Sequence, residues 1–485
     1  MQSMEDRPLW DHQKKIISMG LGMPDLAIFA EMGCGKSRAT IEIIRRRCGL
    51  EKRLMRTLIL APKIVLKNWK SEFGMYSKIN QGDIIVLDKS GKQRAKDLFD
   101  ACFDTSRNEL SRGKIAITNY EAMEMDELVK IIHDWQPEIL VCDEAHRLKN
   151  PQSKRAKIVV GISDIVKHVY LLTGTPILNS PMDVFNQYRI LDGGETFGKN
   201  FYTFRGRYFE DINSGWAGKQ SYFPKWMPRA ETYDHLNDLM YRKAIRVVKS
   251  ECLDLPPLVR QTVQVELSPV QSKMYKEMAV EYVTFVEQQK EKGESLAVVA
   301  QLAITKALRL QQIVSGFAKD VTGNHHRITP CPRLDALSDL VDDLADQHKI
   351  IIWATFKENY AMIGEMLKKK KIPFVELHGD VPQKDREENV RRFRQDGDCR
   401  VIIANQGAAG IGINLTEASY SIFYSRSFRL EHDLQAEARN YRGGSEIHSS
   451  VTRIDLIAPG TIDELINEAL SKKQDVAHKI LDWNP

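Results

Sequence analysis

The sequence predicts an α/β protein of two tandem parallel-sheet lobes, with helical and aromatic-rich segments inserted between them. Three observations predict it. Short apolar runs alternate with amphipathic or polar stretches over residues 26–250, and the same rhythm restarts after residue 345. Two of the runs lead directly into Glu31-Met-Gly-Cys-Gly-Lys-Ser37 and Asp143-Glu-Ala-His146. Strands that alternate with helices pair in parallel and are covered on both faces, so they read as apolar runs rather than as period-two patterns.

In the first lobe the expected strands are Leu26–Ala30, Thr57–Leu60, Ile84–Leu87, Lys114–Thr118, Ile139–Cys142 and Val169–Leu172. Each is bounded by Gly, Pro, Asn, Asp or Lys, residue types that strands disfavour. Leu255-Pro-Pro257 then breaks the chain stiffly, because proline fixes its own φ and restricts its predecessor. Pro269 to about Phe317 is rich in Gln, Lys, Glu, Met and Ala and reads as long helices. The second lobe has Lys349–Trp353, Phe374–Leu377, Arg400–Ala404, Ser421–Tyr424 and Thr452–Ile457. The expected boundaries are therefore 1–250 for the N-terminal lobe, 251–330 for a linker and helical insertion, and 331–485 for the C-terminal lobe. An insertion at about 196–235 interrupts the first lobe: residues 197–226 hold ten aromatics interleaved with Arg205, Arg207, Lys219 and Lys225. Either those rings pack on one another, or they face nucleic acid by stacking and phosphate contact.

Charged residues are 28% and hydrophobic residues 42% of 485, an ordinary globular balance. A net charge of +5 makes no global polycation, so any nucleic-acid contact must be local. The seven cysteines are odd in number and scattered without a Cys-x-x-Cys pair, which argues against a disulfide framework or zinc ribbon and for a reducing compartment. No run approaches the roughly 18 apolar residues of a membrane helix, and the N-terminus carries no apolar signal segment. The expectation is a cytoplasmic chain with no membrane partner.

The chemistry gathers at strand ends. After Ala30, Gly33 and Gly35 let backbone N–H groups turn toward phosphate oxygens, and a helix starting near Lys36 adds a favourable dipole. Lys36 is expected at the β/γ-phosphates of ATP and Ser37 on Mg²⁺. Asp143 is expected to hold the same Mg²⁺, and Glu144 to polarise the attacking water. Far downstream, Gln435, Arg439 and Arg442 are spaced by four and three residues, which places them on one face of a helix. Arginines there supply cations to a transferring phosphoryl group, an effect worth roughly 10³–10⁵ in rate.

In this order, Lys36-Ser37, Asp143-Glu-Ala-His146 and Leu172-Thr-Gly-Thr-Pro176 resemble superfamily 2 helicases. The extension Arg147-Leu-Lys-Asn150, with Leu255-Pro-Pro257, Leu267-Ser-Pro-Val-Gln271 and Tyr275, is similar to the Snf2 branch in its compact phage and bacterial form. Leu9-Trp-Asp-His-Gln13 resembles that family's adenine-reading motif, with Gln13 on the base. Ala408-Ala-Gly-Ile-Gly-Ile-Asn-Leu415, which includes Gly412 at the nucleotide, resembles the motif that couples ATP state to the strand. The resemblance implies RecA-like lobes and coupling roles for His146, Thr173 and Thr175. It also implies DNA contacts by Pro62, Lys63, Trp69, Thr118, Tyr120, Thr355, Phe356, Gln406 and Gly407. Three features depart from the family: Ala409 where glycine usually repeats, Arg442-Gly-Gly-Ser445 in the arginine motif, and Tyr424-Ser-Arg-Ser-Phe428 before it.

What the resemblance implies is a DNA-dependent ATPase that moves along DNA as a monomer, remodelling forks or branched DNA, with little base specificity. Arginine fingers within the same chain make a second subunit unnecessary. Two other readings stay open: an RNA-dependent ATPase, and an ATP-gated binding module with little turnover.

Overall fold

The alternating apolar runs form two parallel sheets. The computed structural model describes residues 8–481 except 90, 105–108, 111–112, 215–223, 253, 292–295, 321 and 408–412. It divides into two units, the first made of Met1–Glu210, Trp226–Asp254 and Lys473–Pro485, the second of Asp211–Lys225 and Leu255–Lys472.

In the first unit the strands are β1 (Asp25–Ala30), β2 (Thr57–Leu60), β3 (Ile84–Val86), β4 (Ile115–Thr118), β5 (Ile139–Asp143), β6 (His168–Leu172) and β7 (Ala244–Val247). Their spatial order is β7-β1-β6-β5-β2-β4-β3, and the pairs are parallel. Parallel pairing brings every C-terminal strand end to one edge, where ligands of open α/β sheets collect. The site-bearing strands β1, β6 and β5 are consecutive there, so segments more than a hundred residues apart in sequence become neighbours. Leu58, Leu60, Leu140, Trp135 and Tyr188 are fully buried beneath the helices.

The second unit contains β8 (Leu258–Gln264), β9 (Ile350–Ala354), β10 (Phe374–Leu377), β11 (Val401–Asn405), β12 (Tyr420–Phe423) and β13 (Val451–Ile457). Their order is β8-β13-β12-β9-β11-β10, again with parallel pairs. The helices Pro269–Glu291 and Leu296–Val314 lie between β8 and β9 in sequence, where long helices are expected.

β7 and β8 were not among the expected strands, and each is the edge of its sheet. An edge strand carries less of the apolar load: β8 exposes Arg260, Gln261 and Thr262, and β7 carries Arg246 in its middle. The aromatic insertion packs largely on itself where it is described. Phe197 meets Tyr188 at 4.9 Å and Phe204 at 5.3 Å between ring centroids, and Phe204 meets Tyr208 at 5.0 Å. Arg205 lies over the Trp226 ring at 4.0 Å. Trp216, Lys219, Tyr222 and Phe223 lie outside the described residues.

Candidate nucleotide site

The phosphate loop is the turn between β1 and the helix Lys36–Leu50. Its glycines are there for backbone reasons. Gly33 has φ 92° and Gly35 φ 70°, left-handed values that a Cβ disfavours. At Gly35 a Cβ would also stand 2.2 Å from Nε2 of Gln13. Lys36 is buried, and its Nζ donates to the Ala30 carbonyl at 2.7 Å and the Glu31 carbonyl at 3.4 Å. The ammonium therefore spans the mouth of its own loop, satisfied by carbonyls that a phosphate oxygen can replace. Helix N-termini leave first-turn amides without intrahelical partners, so the same turn offers N–H donors to an anion.

Gln13 reaches this loop from the helix Asp11–Gly22. Its Nε2 donates to the Gly35 carbonyl at 3.3 Å while its Oε1 accepts from the Trp10 amide at 3.0 Å. His12 Nε2 lies 2.9 Å from the Cys34 carbonyl. The expected base-contacting residue is thus seated on the phosphate loop itself, with 1% exposure.

Asp143 ends β5 and Glu144 follows in a left-handed conformation, φ 54° and ψ 52°. For a non-glycine residue this is a strained position that redirects the chain. Both acids are buried, which costs free energy unless charge is compensated. Burial pushes the Asp143 carboxyl up to about 6, and the adjacent Glu144 charge pushes the same way; the Trp69 hydrogen bond and the Lys36 charge oppose them. Trp69 Nε1 donates to Asp143 Oδ2 at 3.0 Å, and Tyr120 O–H donates to the Asp143 carbonyl at 2.6 Å. Glu144 Oε2 is buried, with His146 Nδ1 3.4 Å from it. A carboxyl held up by burial beside a second buried carboxylate fits a divalent cation and an ordered water. Asp143 and Ser37 are the residues that would hold Mg²⁺.

His146 links this corner to the next strand. Its Nδ1 is 3.0 Å from Thr173 Oγ1 and 3.4 Å from Glu144 Oε2. Thr173 Oγ1 also accepts from the Thr175 amide at 3.1 Å. Gly174 lies between them, where a Cβ would be 3.2 Å from the Ala30 carbonyl. A continuous contact chain thus runs from Glu144 through His146 and Thr173 to the base of the phosphate loop.

In the second unit, the helix carrying Gln435 ends at Glu437. This corrects the expected single helical face. Ala438 leaves helical backbone at ψ 4°, and Asn440 Nδ2 donates to the Ala418 carbonyl at 3.2 Å, pulling the chain away. Arg439 and Arg442 therefore stand on the following turn and loop. Arg439 is buried, with Nη1 donating to the Ile413 carbonyl at 3.3 Å, and Gln435 Nε2 donates to Glu431 at 3.0 Å. Gly412 lies outside the described residues.

The SNF2-related domain matches residues 23–315, and the helicase conserved C-terminal domain matches residues 332–444. The chain belongs to the SNF2-related family. It is 27% identical over 478 residues to the Caenorhabditis elegans SWI/SNF-related matrix-associated actin-dependent regulator of chromatin subfamily A-like protein 1 homolog, covering 97% of this chain and 62% of that protein. It is 26% identical over 505 residues to the TATA-binding protein-associated factor MOT1 of Saccharomyces cerevisiae, covering 93% and 26%. It is 26% identical over 462 residues to the human DNA annealing helicase and endonuclease ZRANB3, covering 93% and 38%. Across the curated relatives it matches first, the chain spans from about a quarter to about three fifths of their length. A Sulfolobus solfataricus SWI2/SNF2 ATPase core in complex with dsDNA aligns at 22% identity with a TM-score of 0.43, over 99% of this chain and 98% of that one. No helix among the described residues is long and apolar enough to cross a membrane.

Several residues expected to touch DNA have other duties in this SNF2-related chain. Trp69 and Tyr120 are buried and hold Asp143 from two sides. Thr118 is fully buried, its hydroxyl donating to the Leu87 carbonyl at 3.3 Å. Pro62 is buried at the cap of the short turn Lys63–Val65, and Gln406 is buried with Nε2 donating to the Ser425 carbonyl at 3.4 Å. These five brace strand ends. Lys63 and Gly407 are exposed, and Thr355 and Phe356 are half-buried, with Phe356 edge-on to Phe317 at 5.6 Å. The roles of Trp69 and Tyr120 toward Asp143 had no signal in the sequence, because contacts 74 and 23 residues apart leave no periodic trace.

Proposed function

We propose that this chain hydrolyses ATP and couples the hydrolysis to movement on DNA, acting on duplex, forked or branched substrates. The observation that carries the first half is the convergence of Lys36, Asp143, Glu144 and the Thr173–Thr175 turn on one sheet edge, with the first three and Thr173 buried. When nucleotide arrives, Lys36 exchanges the Ala30 and Glu31 carbonyls for phosphate oxygens. Ser37 and Asp143 would hold Mg²⁺, which would supply charge neutralisation at the phosphates. Glu144 accepts a hydrogen bond from the attacking water and orients it. By resemblance to the family, Arg439 and Arg442 are the cations for the transferring phosphoryl group. Loss of that phosphoryl is sensed through Glu144, His146 and Thr173. The likeness to human ZRANB3, a DNA annealing helicase and endonuclease, supports DNA as the polymer. Lys63, Thr355, Phe356 and Gly407 are the remaining candidates for strand contact.

Steady-state ATP hydrolysis by wild type and Lys36→Ala tests this, without nucleic acid and with single-stranded, duplex or forked DNA, or RNA. Stimulation by duplex or forked DNA, lost in the variant, supports the reading. Stimulation by RNA alone would replace the polymer, and turnover indifferent to all of them would remove the motor.

A further inference from the structure

Two thiols face each other at the phosphate loop. Cys34 lies inside it, fully buried, and Cys252 ends the short helix Lys249–Cys252, half-exposed; their sulfurs are 3.6 Å apart. The two segments are already held in register. The Glu31 amide donates to the Val247 carbonyl at 3.0 Å, and Glu31 Oε2 accepts from the Lys249 amide at 3.1 Å. Upstream, Ala27–Ala30 pairs residue by residue with Ala244–Val247. A disulfide needs the sulfurs about 2 Å apart, so the pair has to close from its present 3.6 Å.

We propose that Cys34 and Cys252 form a reversible disulfide that closes the phosphate loop to nucleotide. The oxidant class is a hydroperoxide. The half-exposed Cys252 reacts first: its thiolate attacks the O–O bond, forms a sulfenic acid and releases water or an alcohol. The Cys34 sulfur then attacks the Cys252 sulfur; the S–S bond forms, the S–O bond breaks, and hydroxide leaves with the Cys34 proton as water. Two thiols lose two electrons and one peroxide is reduced. Burial pushes both thiols up, so the bond forms slowly at neutral pH and faster as pH rises. Its consequence lies in the loop. Lys36 must leave the Ala30 and Glu31 carbonyls when phosphate arrives, and Cys34 sits between the two left-handed glycines that make this adjustment. A covalent tie at Cys34 opposes it. In a reducing compartment the bond would be transient, formed under oxidative load.

The blocking half rests on the nucleotide-site reading; bond formation does not. The full chain is treated with hydrogen peroxide at pH 8.5, digested without reductant and mapped by mass spectrometry, while binding of a fluorescent ATP analogue is followed in parallel. Expected are a linked Cys34–Cys252 peptide, at least tenfold weaker analogue binding, and recovery with dithiothreitol. Cys252→Ser should bind the analogue normally and keep binding it through the same treatment. Absence of the linked peptide overturns the proposal, and so does a linked chain that binds the analogue as before. A reduced chain that binds no nucleotide removes the proposed function and the switch with it, whereas the peptide map still reads the bond itself.

Discussion

Replacing Trp69 by phenylalanine removes one hydrogen bond from a buried carboxylate, along with part of a fully buried ring system. The ring position beside Phe73 is kept, and Asp143 loses the Nε1 donor now 3.0 Å from Oδ2. A hydrogen bond to a charged group is worth about 1.5–3 kcal/mol, and one pH unit corresponds to about 1.36 kcal/mol. The Asp143 carboxyl, already pushed up to about 6 by burial and by Glu144, should therefore rise by about one to two further units. The sign follows from competition. Mg²⁺ needs the carboxylate, so whatever raises its proton affinity raises the pH below which Mg²⁺ is lost. The assay is Mg²⁺-dependent binding of a fluorescent ATP analogue between pH 5.5 and 8.5. Trp69→Phe should weaken Mg²⁺-dependent binding about twofold to tenfold at pH 7, with the deficit narrowing at high pH. A Mg²⁺ requirement and pH profile equal to wild type would refute the assignment of Trp69 to Asp143.

The same buried charge destabilises the free protein. Asp143 binds its proton more tightly folded than unfolded, so stability falls as pH rises from about 3.8 to about 6 and stays low above it. Asp143→Asn should raise nucleotide-free stability at neutral pH by up to about 3 kcal/mol while abolishing hydrolysis; urea unfolding reads the first, and a destabilised variant would contradict it. Gly35→Ala, with φ 70° and a Cβ pressed against Gln13, should lose nucleotide binding and lower the melting temperature, whereas Gly49→Ala, with open space around it, should do neither. In the second unit Arg453 is buried between Asp433 at 3.0 Å and Glu437 at 3.1 Å, over the Phe423 ring at 4.0 Å. Arg453→Ala leaves Asp433 with Arg426 alone, at 3.0 Å, and should cost about 1.5–3 kcal/mol in urea unfolding, loosening the helix that carries Gln435.

Much of this protein was legible because its chemistry sits where apolar runs stop. Ala30 to Lys36 and Cys142 to Glu144 announce strand ends followed by groups that have no place in a core. Ordering those strands needed the sheet, which puts β6 between β1 and β5 and so brings Gly174 against the Ala30 carbonyl. Strand β8 escaped notice because exposure relaxes the apolar requirement that made the others visible, and β7 because it is short, with Arg246 inside it. Helical spacing misled at Arg439 and Arg442, since a turn anchored by Asn440 continues where the period alone implied a helix. Resemblance also misplaced Trp69, Tyr120 and Thr118 at the strand surface. Sequence motifs record residue type and order, and burial depends on which chain segments fold over them.

The central claim is that hydrolysis is coupled to movement, and displacement of a third DNA strand from duplex tests it most directly. Wild type with ATP should strip a triplex-forming strand ahead of it, while Lys36→Ala and Arg442→Ala should leave it bound. Duplex-stimulated hydrolysis with no displacement would contradict the claim and leave a DNA-stimulated ATPase that does not move along its substrate.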